Sequence, residues 1–311
     1  MKATTGNRET IKGNRNGGKV DEKSYVNLLS ILKIAKKYFF QGSKKFFTIK
    51  TKRQKQLVRD FFRGRKDQKM KKVYQTPGGT AYTIYRDMLK QTHLLVAGAT
   101  GSGKSVVING IVSTALFSSP AKSEFILIDP KRVELAQYKN LPHTLLYASE
   151  PVDILKALDR AMILTESRYR EMQRKGMKKY DGSDVYVIID ELADIMTAYG
   201  RKAAPIIQRL AQIGRAANIH IIAATQCPLS TVIPTQIKVN FDSIVGLHTR
   251  SAQDSRNILG FNGCEELPRY GFGFYMTPEI TQKTEIPMVS DEETERLLNF
   301  WKENKPKRFF R

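Results

Sequence analysis

Between His93 and Val106 the chain reads His-Leu-Leu-Val-Ala-Gly-Ala-Thr-Gly-Ser-Gly-Lys-Ser-Val. An apolar run, Leu94 to Ala97, stops at Gly98, and Gly103, Lys104 and Ser105 follow after four intervening residues. A G-x-x-x-x-G-K-S spacing between a strand pattern and a helix pattern is the context in which a phosphate-binding loop forms. Glycines at 98, 101 and 103 let the backbone curl until successive N–H groups face one concavity. A helix opening near Lys104 adds unpaired N–H groups and the positive end of its dipole. Gly98, Ala99, Thr100, Gly101, Ser102, Gly103, Lys104, Ser105 and Val106 are therefore expected to hold the phosphates of ATP. Lys104 would reach the β- and γ-phosphates, and the Ser105 hydroxyl would ligate Mg²⁺. The bland alternative is a glycine-rich turn with a stray lysine, and it leaves the flanking strand and helix without a reason.

Beyond a turn cluster at Thr76-Pro77-Gly78-Gly79, short apolar runs alternate with longer amphipathic ones. The runs 93–97, 125–129, 144–147, 185–190, 219–225 and 244–248 are nearly continuous and mostly aliphatic. That pattern predicts strands covered on both faces, as in a parallel sheet. Helices are expected over 104–117, 151–175, 203–217, 251–259 and 290–302. The second has an apolar stripe (Ile154, Leu158, Met162, Tyr169, Met172) and a stop at Gly176; the last two open on the capping pairs Ser251/Asp254 and Ser290/Glu293. The prediction is an α/β architecture, a mostly parallel sheet flanked by helices, with ligands at the carboxyl ends of the strands. Residues 77–290 form the main domain in this reading, and 291–311 a C-terminal helix with a basic tail.

Asp190-Glu191 closes the apolar run 185–189. A carboxylate there can hold Mg²⁺ beside Ser105, and the next one, Glu191, can act as general base toward a water. Two acids that only cap a helix are the plain alternative. Gln226 ends the next run, where an amide can sense the γ-phosphate or orient the water. Thr-Gln also ends ordinary strands. Asp129-Pro130-Lys131-Arg132 ends the strand after the loop helix; an ordinary turn with surface charges is the plain alternative. Arg215, within Gln-Ile-Gly-Arg-Ala-Ala-Asn, is the first candidate for an arginine supplied to a neighbouring subunit's site, with Arg250 and Arg256 behind it. Each also fits a surface cation.

Charge is the strongest compositional signal. The 311 residues carry a net +22, and residues 1–76 hold 22 Lys and Arg against five acids. The N-terminal quarter thus has most of the basic character and calls for a polyanion, nucleic acid or an anionic membrane face. Residues 1–23 read as a disordered basic arm and 24–76 as a basic helical region. In the latter, 25–40 is an amphipathic helix that would pack on the main domain or lie on a membrane surface. A short strand at 46–50 precedes a Lys/Arg-laden helix over 51–72, where Phe61 and Phe62 stand among cations. Rings among cations suit nucleic acid, and a solvated helix packed by one aromatic edge fits as well. Two distant cysteines, Cys227 and Cys264, and four histidines show no metal-ligand spacing, which fits a reducing cytosol. No run of 18 uncharged apolar residues and no apolar leader are visible, so a cytoplasmic protein without a transmembrane span is expected, with membrane contact only peripheral or through partners.

From His93 to Arg256 the chain resembles the motor domain of FtsK/SpoIIIE DNA translocases, in the HerA/FtsK group of P-loop ATPases. The resemblance rests on residues 93–105, Ile-Asp-Pro-Lys-Arg-Val-Glu-Leu at 128–135 and Ile-Asp-Glu-Leu-Ala-Asp at 189–194. It continues in Arg-Leu-Ala-Gln-Ile-Gly-Arg-Ala-Ala-Asn-Ile-His at 209–220, Ala-Thr-Gln at 224–226 and Asp-Ser-Arg-Asn-Ile-Leu at 254–259. It implies a RecA-like fold, a hexameric ring of identical subunits around duplex DNA gripped by its backbone, and ATP-driven pulling. It also favours Arg215 as the arginine acting in trans. After Leu267 the family's ending gives way to Pro-Arg-Tyr-Gly-Phe-Gly-Phe-Tyr-Met. Neither membrane spans, nor a long linker, nor a winged-helix module is visible. The chain therefore looks more like the short motors of mobile elements: conjugative coupling proteins with a relaxase or another element protein as partner, or phage DNA movers.

A DNA translocase serving transfer or maintenance of a mobile element is the first expectation. A protein-secretion ATPase is the second; related domains there come in tandem with membrane anchors. A phage packaging or segregation motor, and a non-enzymatic adaptor switched by nucleotide, complete the set. The intact Glu191 argues against the adaptor.

Overall fold

Successive residues of a strand point to opposite faces of the pleat, so a strand that is apolar throughout must be covered twice. The computed structural model, which describes residues 81–229, 231–289 and 291–303, shows that double cover. One sheet is built from β1 (His93–Ala97), β2 (Ser123–Ile128), β3 (Thr144–Ala148), β4 (Asp184–Ile189), β5 (Ile219–Thr225), β6 (Ser243–Gly246), β7 (Phe272–Met276) and β8 (Thr281–Glu285). Their order is β3-β2-β4-β5-β1-β6-β7-β8. The first six in that row run parallel, and β7 and β8 are antiparallel additions at one edge.

Alternation along the strands separates two cores. Leu94, Val96, Phe125, Leu127, Ile188 and Ile222 join the first, under helices α1 (Ala81–Lys90), α2 (Lys104–Ser118) and α7 (Asp291–Glu303). Leu95, Ile126, Ile128, Val187, Ile189 and Ile221 join the second, under α3 (Pro151–Lys175), α4 (Leu192–Ile213) and the short α5 (Thr235–Lys238). A last helix, α6 (Ala252–Leu259), covers the end of β6 through Ile258 and Leu259. In α2 the buried residues run all the way round (Val107, Ile108, Ile111, Val112, Ala115, Leu116) because α1 packs on its outer side. Gly110 makes that packing close: a side chain there would overlap the ring of Tyr85, whose hydroxyl donates to the Pro287 carbonyl at 2.5 Å.

Three features differ from the expectation. The helix placed at 203–217 spans Leu192–Ile213 instead. Gly200 and Pro205 speak against a helix locally, at about 1 and 3 kcal/mol. Burial of Leu192, Ile195, Met196, Ile207 and Leu210 against the sheet outweighs them, at roughly 1.5–3 kcal/mol per side chain. Strands β7 and β8 were not anticipated. β8, Thr-Gln-Lys-Thr-Glu, carries no apolar residue, and its pairing with β7 alone makes it a strand. Helix α1 was not anticipated either; Ile84, Tyr85 and Met88 form its buried stripe. The arm at 1–23, the region 24–76 with its helices and strand, the turn at 76–79 and the tail beyond residue 303 lie outside the described residues. No helix among the described residues is long and apolar enough to cross a membrane.

Candidate nucleotide site

The chain leaves the sheet at Ala97 and is pinned on both sides as it does so. The N–H of Gly98 donates to Thr225 O of β5 at 3.2 Å, and the N–H of Ala99 to His248 O, just past β6, at 2.8 Å. Gly98 has no room for a side chain: a Cβ would stand 2.6 Å from Ser102 Oγ and 2.8 Å from Leu247 Cβ. Gly101 and Gly103 have φ of 72° and 99°, which turns the loop and starts α2 at Lys104. Ser102 is buried at the bend and its N–H donates to Ala99 O at 3.2 Å. Ser105 and Val106 continue the first helical turn. Lys104 Nζ donates to the carbonyls of Gly98 (3.0 Å) and Ala99 (2.9 Å). Burial holds its ammonium below the ordinary lysine value, although Glu191 and Asp190 pull the other way.

Register places the acids. Ile128 of β2 pairs with Ile189 of β4, so the residues that follow, Asp129 and Asp190, emerge side by side at the carboxyl edge. Asp190 is 8% exposed, and its carboxyl is pushed up to about 7, first by burial and then by Asp129 and Glu134. Asp129 is fully buried; its Oδ2 accepts from the Leu135 N–H (3.0 Å) and, more distantly, the Tyr147 hydroxyl (3.5 Å). Its Oδ1 has no hydrogen-bond partner among the described residues.

Glu191 is tied to two neighbouring segments. The N–H of Gln226 donates to both its carboxylate oxygens, at 3.1 and 3.2 Å, and Lys131 Nζ lies 3.4 Å from Oε2. Lys131 also reaches Asp194 at 3.5 Å. Partial burial works against the Lys131 charge, but Glu191, Asp194 and Asp190 outweigh it and raise the ammonium above its usual value. The Gln226 side chain closes the circle: its Oε1 accepts from the Thr100 hydroxyl of the loop at 2.6 Å.

Lys104, Asp190, Glu191 and Gln226 are thus gathered at one edge of the sheet. Arg215 is not with them. It is exposed in the turn after α4, at the amino ends of β5 and β1, where its charge is felt by His93. That turn is held by the buried Arg168, whose guanidinium donates to Ala217 O at 2.7 Å and Asn218 O at 3.0 Å. Arg250 lines a pocket of about 280 Å³ beside the loop with Gly98, Thr100, Gln226 and Asp254. Arg256 is turned away, bonded to Asn262 and Gln253. In the turn 129–132, Asp129 lies beside Asp190 and Lys131 beside Glu191, so the plain alternative of surface charges alone does not describe it, and Arg132 adopts a left-handed φ of 61° to make the bend. The signal was the position of Asp-Pro-Lys-Arg at the end of a buried strand beside β4.

The oxygen-rich set suits a hard divalent cation. Among the described residues no three His, Cys, Asp or Glu are grouped as a metal cage. Mg²⁺ is typically held by one or two protein oxygens together with substrate phosphates. The orphaned Asp129 Oδ1 and the raised Asp190 carboxyl, next to the loop that carries Ser105, fit that arrangement.

The sequence model of the FtsK/SpoIIIE family matches residues 64–185 and 181–230. The DNA translocase FtsK of Rickettsia bellii is 37% identical over 266 residues, covering 71% of this chain and 35% of that protein. The DNA translocase FtsK of Streptococcus pneumoniae is 37% identical over 249 residues, covering 72% and 32%. The chain thus spans about a third of the length of these curated relatives. Among solved structures, the cytoplasmic domain of the type VII secretion ATPase EccC of Thermomonospora curvata superposes with a TM-score of 0.60 at 21% identity, covering 71% of this chain and 29% of that one. The pCW3 conjugation coupling protein TcpA, in a monomer form with ATPγS, gives 0.60 at 23% identity, covering 69% and 66%. Both are likenesses of fold.

Proposed function

The chain belongs to the FtsK/SpoIIIE family of P-loop ATPases, and from that premise we propose that it is an ATP-driven DNA motor. One observation carries the reading: Lys104 of the phosphate loop is joined at the same sheet edge by Asp190 and Glu191 after β4 and Gln226 after β5, three separate segments of the chain. In this reading the loop at 98–106 cradles the β- and γ-phosphates with Lys104 and with those of its N–H groups that are not, like Gly98, Ala99 and Ser102, already paired to backbone carbonyls. Ser105 and Asp190 would hold Mg²⁺, which supplies charge neutralisation at the phosphates. Glu191 accepts a proton from the water that attacks the γ-phosphorus, while the bond to the bridging oxygen breaks and ADP leaves. Gln226 fixes Glu191 through its N–H and meets Thr100 through its amide, so it can report the γ-phosphate to the next strand.

Arg215 has no route to its own loop, and we assign it to the site of a neighbour. A heterologous interface that closes into a ring, with the nucleotide at each seam, fits that assignment, and the family resemblance favours six subunits. DNA as the substrate is supported by the 37% identity to proteins described as DNA translocases and by the basic first 76 residues. Contact with the DNA backbone, which we take to be duplex, fits that charge. We extend the proposal to DNA of a mobile element with a relaxase-like partner, on the sequence resemblance; a neighbouring relaxase gene supports it, and a chromosome-segregation gene cluster speaks against it.

The test is ATP hydrolysis by the full chain with and without duplex DNA, followed by displacement of a third strand from a DNA track. Stimulation and displacement are expected, both weakening with salt. An unchanged rate with DNA, together with stimulation by a secreted polypeptide, would overturn the DNA reading.

A further inference from the structure

The segment after Leu267, where the family resemblance gives way, returns to the phosphate loop. His248 makes the connection. Its carbonyl accepts from the loop N–H of Ala99 at 2.8 Å, and its ring Nδ1 lies 2.8 Å from the Leu267 carbonyl. A carbonyl only accepts, so this nitrogen carries the hydrogen. Two residues beyond Leu267, the guanidinium of Arg269 covers the open face of Gly101. A Cβ on that glycine would stand 3.1 Å from one terminal nitrogen, 3.6 Å from Nε and 3.7 Å from Cζ. Any side chain at 101 would crowd that cation, and the glycine's φ of 72° disfavours one independently.

Arg269 is exposed and, among the described residues, makes no ion pair with a carboxylate. Its Cζ also lies 5.8 Å from the ring centre of Tyr270, which is 65% exposed. A cation without an ion-pair partner, held over the glycine turn of a phosphate loop, is matched by a polyphosphate.

We propose that Arg269 is a nucleotide-binding residue contributed by the same subunit, a charge contact to the phosphates of a nucleoside di- or triphosphate seated in the loop. This deepens the nucleotide-site reading above and rests on it. Arg269 approaches from the β6–β7 side of the sheet, opposite the β2–β4–β5 side that supplies the acids. It therefore grips the ligand independently of the hydrolytic residues, and ADP should feel it as much as ATP. Tyr270, next along the chain, leaves an exposed ring beside the cation.

The experiment is titration of the full chain with Mg·ADP at low and at physiological salt, for wild type, Arg269→Gln, Arg269→Lys and Lys104→Ala. Arg269→Gln should weaken ADP binding about tenfold and flatten its salt dependence, because one charge contact is gone. Arg269→Lys should recover most of the affinity and the salt slope. If Lys104→Ala loses ADP while Arg269→Gln binds it within twofold of wild type, the proposal is overturned and the nucleotide site stands. If Lys104→Ala binds ADP as wild type does, the site reading falls and takes this inference with it. Circular dichroism of each variant separates lost binding from lost folding. Should Arg269→Gln lose structure, Arg269→Met, which keeps the length of the stem without the charge, decides at the same two salt concentrations: weaker ADP binding with a flattened slope supports the charge contact, and wild-type affinity and slope overturn it.

Discussion

Lys131 Nζ stands 3.4 Å from Glu191 Oε2, joining the turn after β2 to the acid that ends β4. The two side chains are unequal partners: Glu191 is 3% exposed and Lys131 41%. Removing the lysine strands a buried carboxylate beside Asp190. Lys131→Met should therefore lower the stability of the nucleotide-free protein by about 1 kcal/mol at neutral pH. Mg·ADP should narrow the gap, because it brings positive charge to the same acids. Chemical denaturation with and without ligand reads both effects, and a variant as stable as wild type would refute the coupling.

The Asp190 carboxyl gives a pH dependence whose sign is unusual for an acid. It titrates near 7 in the folded chain against an ordinary 3.8, because of burial and then Asp129 and Glu134. Between those values the folded protein holds a proton that the unfolded chain has lost. This group therefore favours folding fully below about pH 4, loses that advantage as pH rises, and levels off above about 7. The displacement corresponds to about 4 kcal/mol at most. Calorimetry from pH 5 to 8 should show wild type losing stability relative to Asp190→Asn as pH rises. Parallel profiles would contradict the burial argument. Added Mg²⁺ at pH 8 should stabilise wild type and leave Asp190→Asn nearly unmoved.

Glu191 and Gln226 separate binding from turnover. Glu191→Gln keeps an acceptor for the Gln226 N–H but loses the base we propose, so kcat should drop by about 10²–10⁴ with ADP affinity near wild type. Gln226→Ala keeps that N–H and removes only the amide that meets Thr100, for a smaller loss of roughly tenfold. Single-turnover hydrolysis distinguishes them. Equal rates for Glu191→Gln and wild type would remove Glu191 from the chemistry.

The close approach of α1 to α2 is a packing prediction. Gly110→Ala drives a methyl into the Tyr85 ring, at a cost of about 1–3 kcal/mol. Tyr85→Leu in the same chain should recover part of the loss, although it gives up the bond to Pro287. A double variant whose loss equals the sum of the two singles would show that the residues are uncoupled.

Much of the site was legible in the sequence. The loop at 98–106 and the acids at 190–191 are local patterns, set by residue type and spacing. The partners of the turn at 129–132 were not. Asp129 and Lys131 look like ordinary surface charges until strand order puts β2 beside β4, and then the pairing of Ile128 with Ile189 brings two carboxylates together. Arg269 was less visible still, because it reaches Gly101 only through a tether at His248 that spans two strands. Helix α4 shows the same limit in the fold: Gly200 and Pro205 are local signals against it, and the sheet face it covers overrules them.

The sequence by itself determined that this chain folds as an α/β protein around a phosphate loop, because backbone curvature, dipole and strand burial are properties of contiguous residues. Only the tertiary structure decided which charges share that loop. Electrostatic partnership depends on distance through space, and residues as far apart in the chain as Gly101 and Arg269 become neighbours only when the strands are set in order.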